Sequence, residues 1–299
     1  MSEAAILELD GLRKEYLDVV AVCDVSLAIP RGEIYGLIGP NGAGKTTLLS
    51  MAATTLEPTA GHVRLDGGEL WDDPVRARRQ IGFMPDFFQV TRELTVTDFL
   101  STFALAHGLR GQALRDRVAE VVALVGLQAK AEEKCKGLSR GMVQRLGLGR
   151  AIIHKPALLL LDEPASGLDP LARKVLFDTL RAIHRDGSTI VISSHILSEL
   201  SDLCTFVGIM HEGEFLECGR TREVIQKLLP RRRMELHVLA ESLTAAQAFL
   251  EQTDAVNALV EVDGSLRFEF EGTDEHLADL HATLAREGIR IVTLAESAT

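Results

Sequence analysis

GPNGAGKTT, residues 39–47, follows the apolar run EIYGLIG (33–39) and precedes the helical pattern LLSMAATTL (48–56). Three glycines, a lysine and two threonines in nine positions do not fill a core. The stretch fits G-x-x-x-x-G-K-[ST], with Gly39, Pro40, Asn41, Gly42, Ala43, Gly44, Lys45 and Thr46 in register and Thr47 following. Glycines let the backbone wrap closely around an anion, so that its N–H groups and the following helix N-terminus face a phosphate. Lys45 is placed to reach β- and γ-phosphates, and the Thr46 hydroxyl to join a magnesium shell. A strand before the loop and a helix after it make this a nucleotide site in an α/β fold.

Such a site needs a carboxylate at a neighbouring strand end to orient the metal. ALLLLDEP (157–164) supplies one, since Asp162 closes a run of four leucines and Glu163 follows at once. Asp162 is expected to hold the magnesium shell and Glu163 to polarise an attacking water. STIVISSH (188–195) is a second continuous apolar run. Runs of this kind suit strands buried on both faces of a parallel sheet, with PLARKVLFDTLRAIHRDG (170–187) as their crossover helix.

Bulk properties narrow the classes. Of 299 residues, 43 are acidic and 32 basic, a net charge of −11, so no basic face is on offer and nucleic acid is not an expected partner. The longest basic run, Arg231-Arg232-Arg233, reads as a solvated linker. Cys23, Cys135, Cys204 and Cys218 form no CxxC pair, which points to free thiols in a reducing compartment. No signal peptide opens the chain, and no apolar run reaches the length of a spanning helix. A cytoplasmic protein is expected.

Between Thr95 and Lys155 apolar residues recur at helical spacing, and Thr95 with Asp98 reads as a helix cap. VSLAIPRGEIYGLIG (25–39) reads as two strands joined tightly at Pro30-Arg31-Gly32. A composition shift near QKLLPRRRMEL, with Pro230 breaking any helix, divides a domain of residues 1–228 from one of residues 229–299. The latter reads β-α-β-β-α-β, with a hairpin at Asp263-Gly264, as in a small ferredoxin-like domain. His237, His276 and His281 are too dispersed there for a metal site.

LSRGMVQR (138–145) stands ahead of the Asp162-Glu163 pair and resembles the signature LSGGQ of ABC transporter ATP-binding subunits. The resemblance spans about residues 5 to 220, and most resembles export-type, multidrug or ABC-type-two systems. It implies a P-loop ABC ATPase domain with a helical subdomain over about 88–150, binding ATP with Mg2+. Two copies are then expected to pair head-to-tail, Ser139 and Gly141 of each covering ATP on the other's phosphate loop. By the same resemblance Tyr16 stacks on adenine, Asp169 in SGLDP links the two sites, and His195 contacts the γ-phosphate.

Separate transmembrane permease subunits complete the implied machine, placing the chain on the inner face of the membrane. The competing reading is a soluble ABC ATPase acting on ribosomes or DNA, whose members usually carry paired ATP-binding units or coiled-coil insertions. A regulatory module without turnover is disfavoured by Glu163 and His195. Two positions depart from the family: Asp86, in IGFMPDFF, replaces a glutamine, and Arg140 replaces a glycine. Asp86 still offers oxygen to magnesium or water. Arg140 either faces the partner's nucleotide or points to solvent. Phe83, Met84, Phe87 and Phe88 surround Asp86; core packing explains some of them, and four large apolar groups there also suit a docking surface, which in the resembled family receives a membrane subunit's coupling helix.

Overall fold

The computed structural model describes residues 5–228 and 231–297. It divides into two compact units, Met1–Thr221 and Arg222–Thr299. That division precedes the composition shift by a few residues; Pro230, read as a helix breaker, lies outside the described residues.

The first unit runs β1 (Ala5–Tyr16), β2 (Val19–Pro30), β3 (Ile34–Ile38), α1 (Lys45–Ala52), β4 (Ala60–Leu65), β5 (Gly68–Glu69), α2 (Pro74–Arg78) and β6 (Ile81–Met84). There follow α3 (Val96–Ala106), α4 (Gly111–Leu124), α5 (Arg140–Ile152) and β7 (Leu158–Leu161). It closes with α6 (Pro170–Arg185), β8 (Thr189–Ser194), α7 (Leu197–Leu200), β9 (Phe206–His211) and β10 (Glu214–Arg220). One sheet has the order β10-β9-β3-β8-β7-β6, parallel except for the β9–β10 edge; the other is antiparallel, β2-β1-β4-β5.

Every residue of β3, β7 and β8 is buried, as expected of strands covered on both faces. Because the three are parallel, their C-terminal ends share one edge of the sheet. The phosphate loop leaves β3 there, Asp162 and Glu163 leave β7, and His195 leaves β8. This edge is where doubly wound sheets place their ligands. The tight connection at residues 30–32 is present, with Gly32 at φ 76, but it carries the chain from the antiparallel sheet into the parallel one. Similar apolar content in β2 and β3 hid that change of sheet from a one-dimensional reading.

The helical segment rests on the sheet through glycine. A Cβ on Gly82 of β6 would lie 2.2 Å from the Ala151 carbonyl oxygen, so α5 sits directly on the strand backbone. Thr95 caps α3, its Oγ1 accepting from the Asp98 amide at 3.0 Å.

The second unit takes in most of α8 (Thr221–Leu228), then β11 (Arg231–Val238), α9 (Leu243–Glu251), β12 (Val256–Val262), β13 (Ser265–Glu271), α10 (Asp274–Arg286) and β14 (Ile291–Glu296). Its antiparallel sheet has the order β12-β13-β11-β14, a ferredoxin-like arrangement. Asp263 and Gly264, at φ 50 and 77, make the two-residue turn between β12 and β13. Met234, Leu236, Leu266, Phe268, Phe270, Leu280 and Leu284 form its core. Arg231–Arg233 is therefore no linker: it opens a central strand, where Arg231 pairs with Glu271 at 2.8 Å and Arg232 with Asp274 at 2.6 Å. Cross-strand acids make a basic run compatible with a sheet.

Candidate active site

The phosphate loop is built of positions that exclude side chains. Gly42 and Gly44 take φ of 84 and 100, a region that L side chains rarely enter. A Cβ on Gly39 would fall 2.1 Å from the Met210 carbonyl oxygen, and one on Gly44 2.4 Å from that of Ala21. The loop is thus pressed between β2 and β9, and its backbone has little freedom. Pro40, Asn41 and Ala43 complete it, and Thr46 and Thr47 stand in the first turn of α1.

Lys45 is only 5% exposed. Its ammonium donates to the carbonyl oxygens of Gly39 at 2.6 Å and Pro40 at 3.1 Å. It also lies 3.3 Å from Glu163 Oε1, an ion pair without hydrogen-bond geometry; that oxygen is buried and accepts no hydrogen bond among the described residues. Thr46 Oγ1 donates to Asp162 Oδ2 at 2.7 Å, joining the loop to β7.

Asp162 is fully buried, and Ser193 explains how its charge is tolerated. The Ser193 hydroxyl donates to Asp162 Oδ1 at 2.7 Å and accepts from the Glu163 amide at 2.8 Å. One side chain of β8 therefore fixes both acids. Glu163 itself sits at φ 47, a strained value for a residue with a side chain. Its Oε2 lies 3.0 Å from His195 Nδ1. Sequence reading missed Ser193, although its place two residues before His195 in VISSH was available as a signal.

Asp86 follows β6 on the same edge. Partial burial raises its pKa first; repulsion from Asp162 and Glu163 adds to this, while Arg140 pulls the other way. The hard oxygens of Thr46 and Asp162, joined beside a glycine cradle, fit magnesium and a polyphosphate.

Ser139 caps α5, its Oγ accepting from the Met142 amide at 3.3 Å, and Asp169 caps α6 by accepting from Ala172 at 2.8 Å. Ser139, Gly141 and Asp169 line one cavity of about 450 Å³ with Leu168 and Ala172. Arg140 lines the same cavity and is turned back toward its own chain. Its Nη2 donates to the Ser166 carbonyl at 3.2 Å. Tyr16 stands at the end of β1, 45% exposed, with the Lys14 ammonium 5.4 Å from its ring centroid.

The four-residue apolar cluster near Asp86 divides between core packing and surface. Met84 is fully buried, and Phe88 is wedged against Gly147, where a Cβ would lie 2.3 Å from its ring. The Arg150 guanidinium stacks 5.4 Å from the same ring. Only Phe87 of the four stands out from the surface, 79% exposed.

A phosphate loop, a strand-end acid pair and a capped signature helix define a nucleoside triphosphatase of the ATP-binding-cassette class. The comparisons agree: the family model for ABC transporter matches residues 22–166. The chain is 32% identical to the linearmycin resistance ATP-binding protein LnrL of Bacillus subtilis, over 75% of this chain and 72% of that one. It is 36% identical to Nod factor export ATP-binding protein I of Ralstonia nicotianae, over 74% and 68%. A dimeric ATP-binding cassette solved in a post-hydrolysis state with ADP and Pi superposes with TM-score 0.67 at 26% identity, over 72% of this chain and 99% of that one.

The chain belongs to the ABC transporter ATP-binding family. It is a nucleotide-binding subunit and an ATPase serving a transporter, which sets aside the ribosome- or DNA-acting alternative. Among the described residues no helix is long and apolar enough to cross a membrane.

Proposed function

We propose that this chain hydrolyses Mg-ATP between two copies of itself to drive an export-type permease made of separate membrane subunits. The supporting observation is the convergence of Lys45, Thr46, Asp162, Glu163 and His195 from three parallel strand ends. Magnesium, when bound, would neutralise phosphate charge; Thr46 and Asp162 would hold it, with Asp86 reaching its hydration shell.

Glu163 then orients the attacking water and accepts its proton, and its strained backbone and buried Oε1 keep it aimed. His195, hydrogen-bonded to Glu163, reports the terminal phosphate to that carboxylate. Lys45, drawn from its two carbonyls, contacts the β- and γ-phosphates. Phosphoryl transfer to water requires positioning and charge neutralisation, not a covalent intermediate. Tyr16 is assigned to the adenine and Gly39–Thr47 to the phosphates. Ser139, Gly141 and Asp169 are assigned to the partner copy's nucleotide. Attachment to the permease holds the chain to the inner face of the membrane.

Glu163→Gln tests this directly. The variant, incubated with ATP and used to capture partners from detergent-solubilised native membranes, is expected to retain a polytopic protein in ATP-dependent amounts. Recovery of ribosomal proteins or DNA instead sinks the permease reading.

A further inference from the structure

Arg140 is the first residue of α5, and its side chain does not continue outward from the helix. Nη2 donates to the Ser166 carbonyl at 3.2 Å, and the guanidinium covers the face of Gly167 where a side chain would stand. A Cβ on Gly167 would be 2.5 Å from Cζ and 2.7 Å from each terminal nitrogen. Gly167 also holds φ at 68, a region that L side chains rarely enter.

The segment held in this way begins at Glu163. The Ser166 amide donates to the Glu163 carbonyl at 3.0 Å, and the Leu168 amide to that of Ala165 at 3.2 Å. Asp169 then caps α6. A planar fork with fixed donors restrains a peptide more tightly than a flexible ammonium does.

We propose that Arg140 is a positioning residue. It pins the Ser166–Gly167 turn beside the signature helix, so that Glu163 and Asp169 are presented together. The inference rests on Glu163 promoting hydrolysis.

The test begins with amide hydrogen exchange on the full-length chain without nucleotide, which needs no turnover and so fails or succeeds independently of the hydrolytic reading. Arg140→Gly is expected to raise exchange over residues 164–169 by about tenfold, with β8 unchanged. Arg140→Lys, which keeps the charge and loses the fork, is expected to raise it as well, and it carries the test if the glycine variant fails to fold. Exchange over 164–169 within about twofold of the parent in both variants would overturn the pinning.

Steady-state hydrolysis reads the consequence for Glu163. Arg140→Gly is expected to lower kcat about tenfold with KM for ATP held within about twofold, and Arg140→Lys to lower it less. A kcat within about twofold of the parent in both variants would overturn the positioning role.

Discussion

Ser193 shows how few atoms control the acid pair. Its hydroxyl is the only side chain bonded both to Asp162 and to the Glu163 amide among the described residues. Ser193→Ala leaves a fully buried carboxylate and a backbone donor each short of one partner, a cost of about 1–3 kcal/mol. Urea unfolding is expected to report that loss, and hydrolysis to fall with it. Glu163→Gln is expected to behave differently, keeping stability and ATP binding while lowering turnover by about 10²–10⁴-fold. An unchanged turnover in Glu163→Gln would remove this residue from the chemistry. Lys45, Thr46, Asp162 and Glu163 could be read in advance because each stands at a fixed step from a glycine or a strand end. Ser193 and the Arg140–Ser166 contact could not, since no spacing rule says which side chains meet across 31 and 26 positions.

Among the elements, α5 on β6 makes the most demanding contact. Gly82→Ala puts a methyl group 2.2 Å from a backbone oxygen, where no rotamer change relieves it. A loss of about 1–3 kcal/mol in urea unfolding is expected. The C-terminal end of α5 adds a pH response. His154 stacks on His107 with ring centroids 3.9 Å apart, its Nε2–H donating to the Ile81 carbonyl at 3.0 Å and its Nδ1 buried without a partner among the described residues. Burial, then His107 and Arg117, push its pKa down from 6.5 to about 4, against the Ile81 bond. Above pH 6.5 the ring is neutral folded or unfolded and costs nothing. As pH falls from there through about 4 the unfolded chain takes up the proton first, so stability is lost. The expected loss is about 1–2 kcal/mol after allowance for the ring's partial exposure. Urea midpoints measured from pH 7 to 4 should fall less steeply in His154→Gln than in the parent.

The buried strands β7 and β8 and the helices around α3 were legible because continuous apolar runs and helical spacing survive any tertiary context. The assignment of β2 and β3 to different sheets and the strand character of Arg231–Arg233 were not. Both depend on partners distant in sequence.

The division of the molecule into two units makes a prediction about unfolding as a whole. The second unit has its own apolar centre, drawn entirely from residues 234–294, in which Phe270 is 1% exposed and packs with Leu236, Leu266 and Leu284. Among the described residues its strands, β11 to β14, form a sheet of their own. Separate cores confer separate cooperativity, so a single two-state transition is not expected. Phe270→Ala removes a large ring from the core of a unit that spans Arg222–Thr299, at a cost of about 3–5 kcal/mol, comparable to the stability of a unit that size. Denaturation followed by circular dichroism should then show one transition moved to lower urea or lost, and the other at its parental midpoint. The surviving transition should still shift upward with added ATP, because ligand binding stabilises only the unit that holds the phosphate loop. A single transition that moves as one in Phe270→Ala would mean that the two cores unfold together.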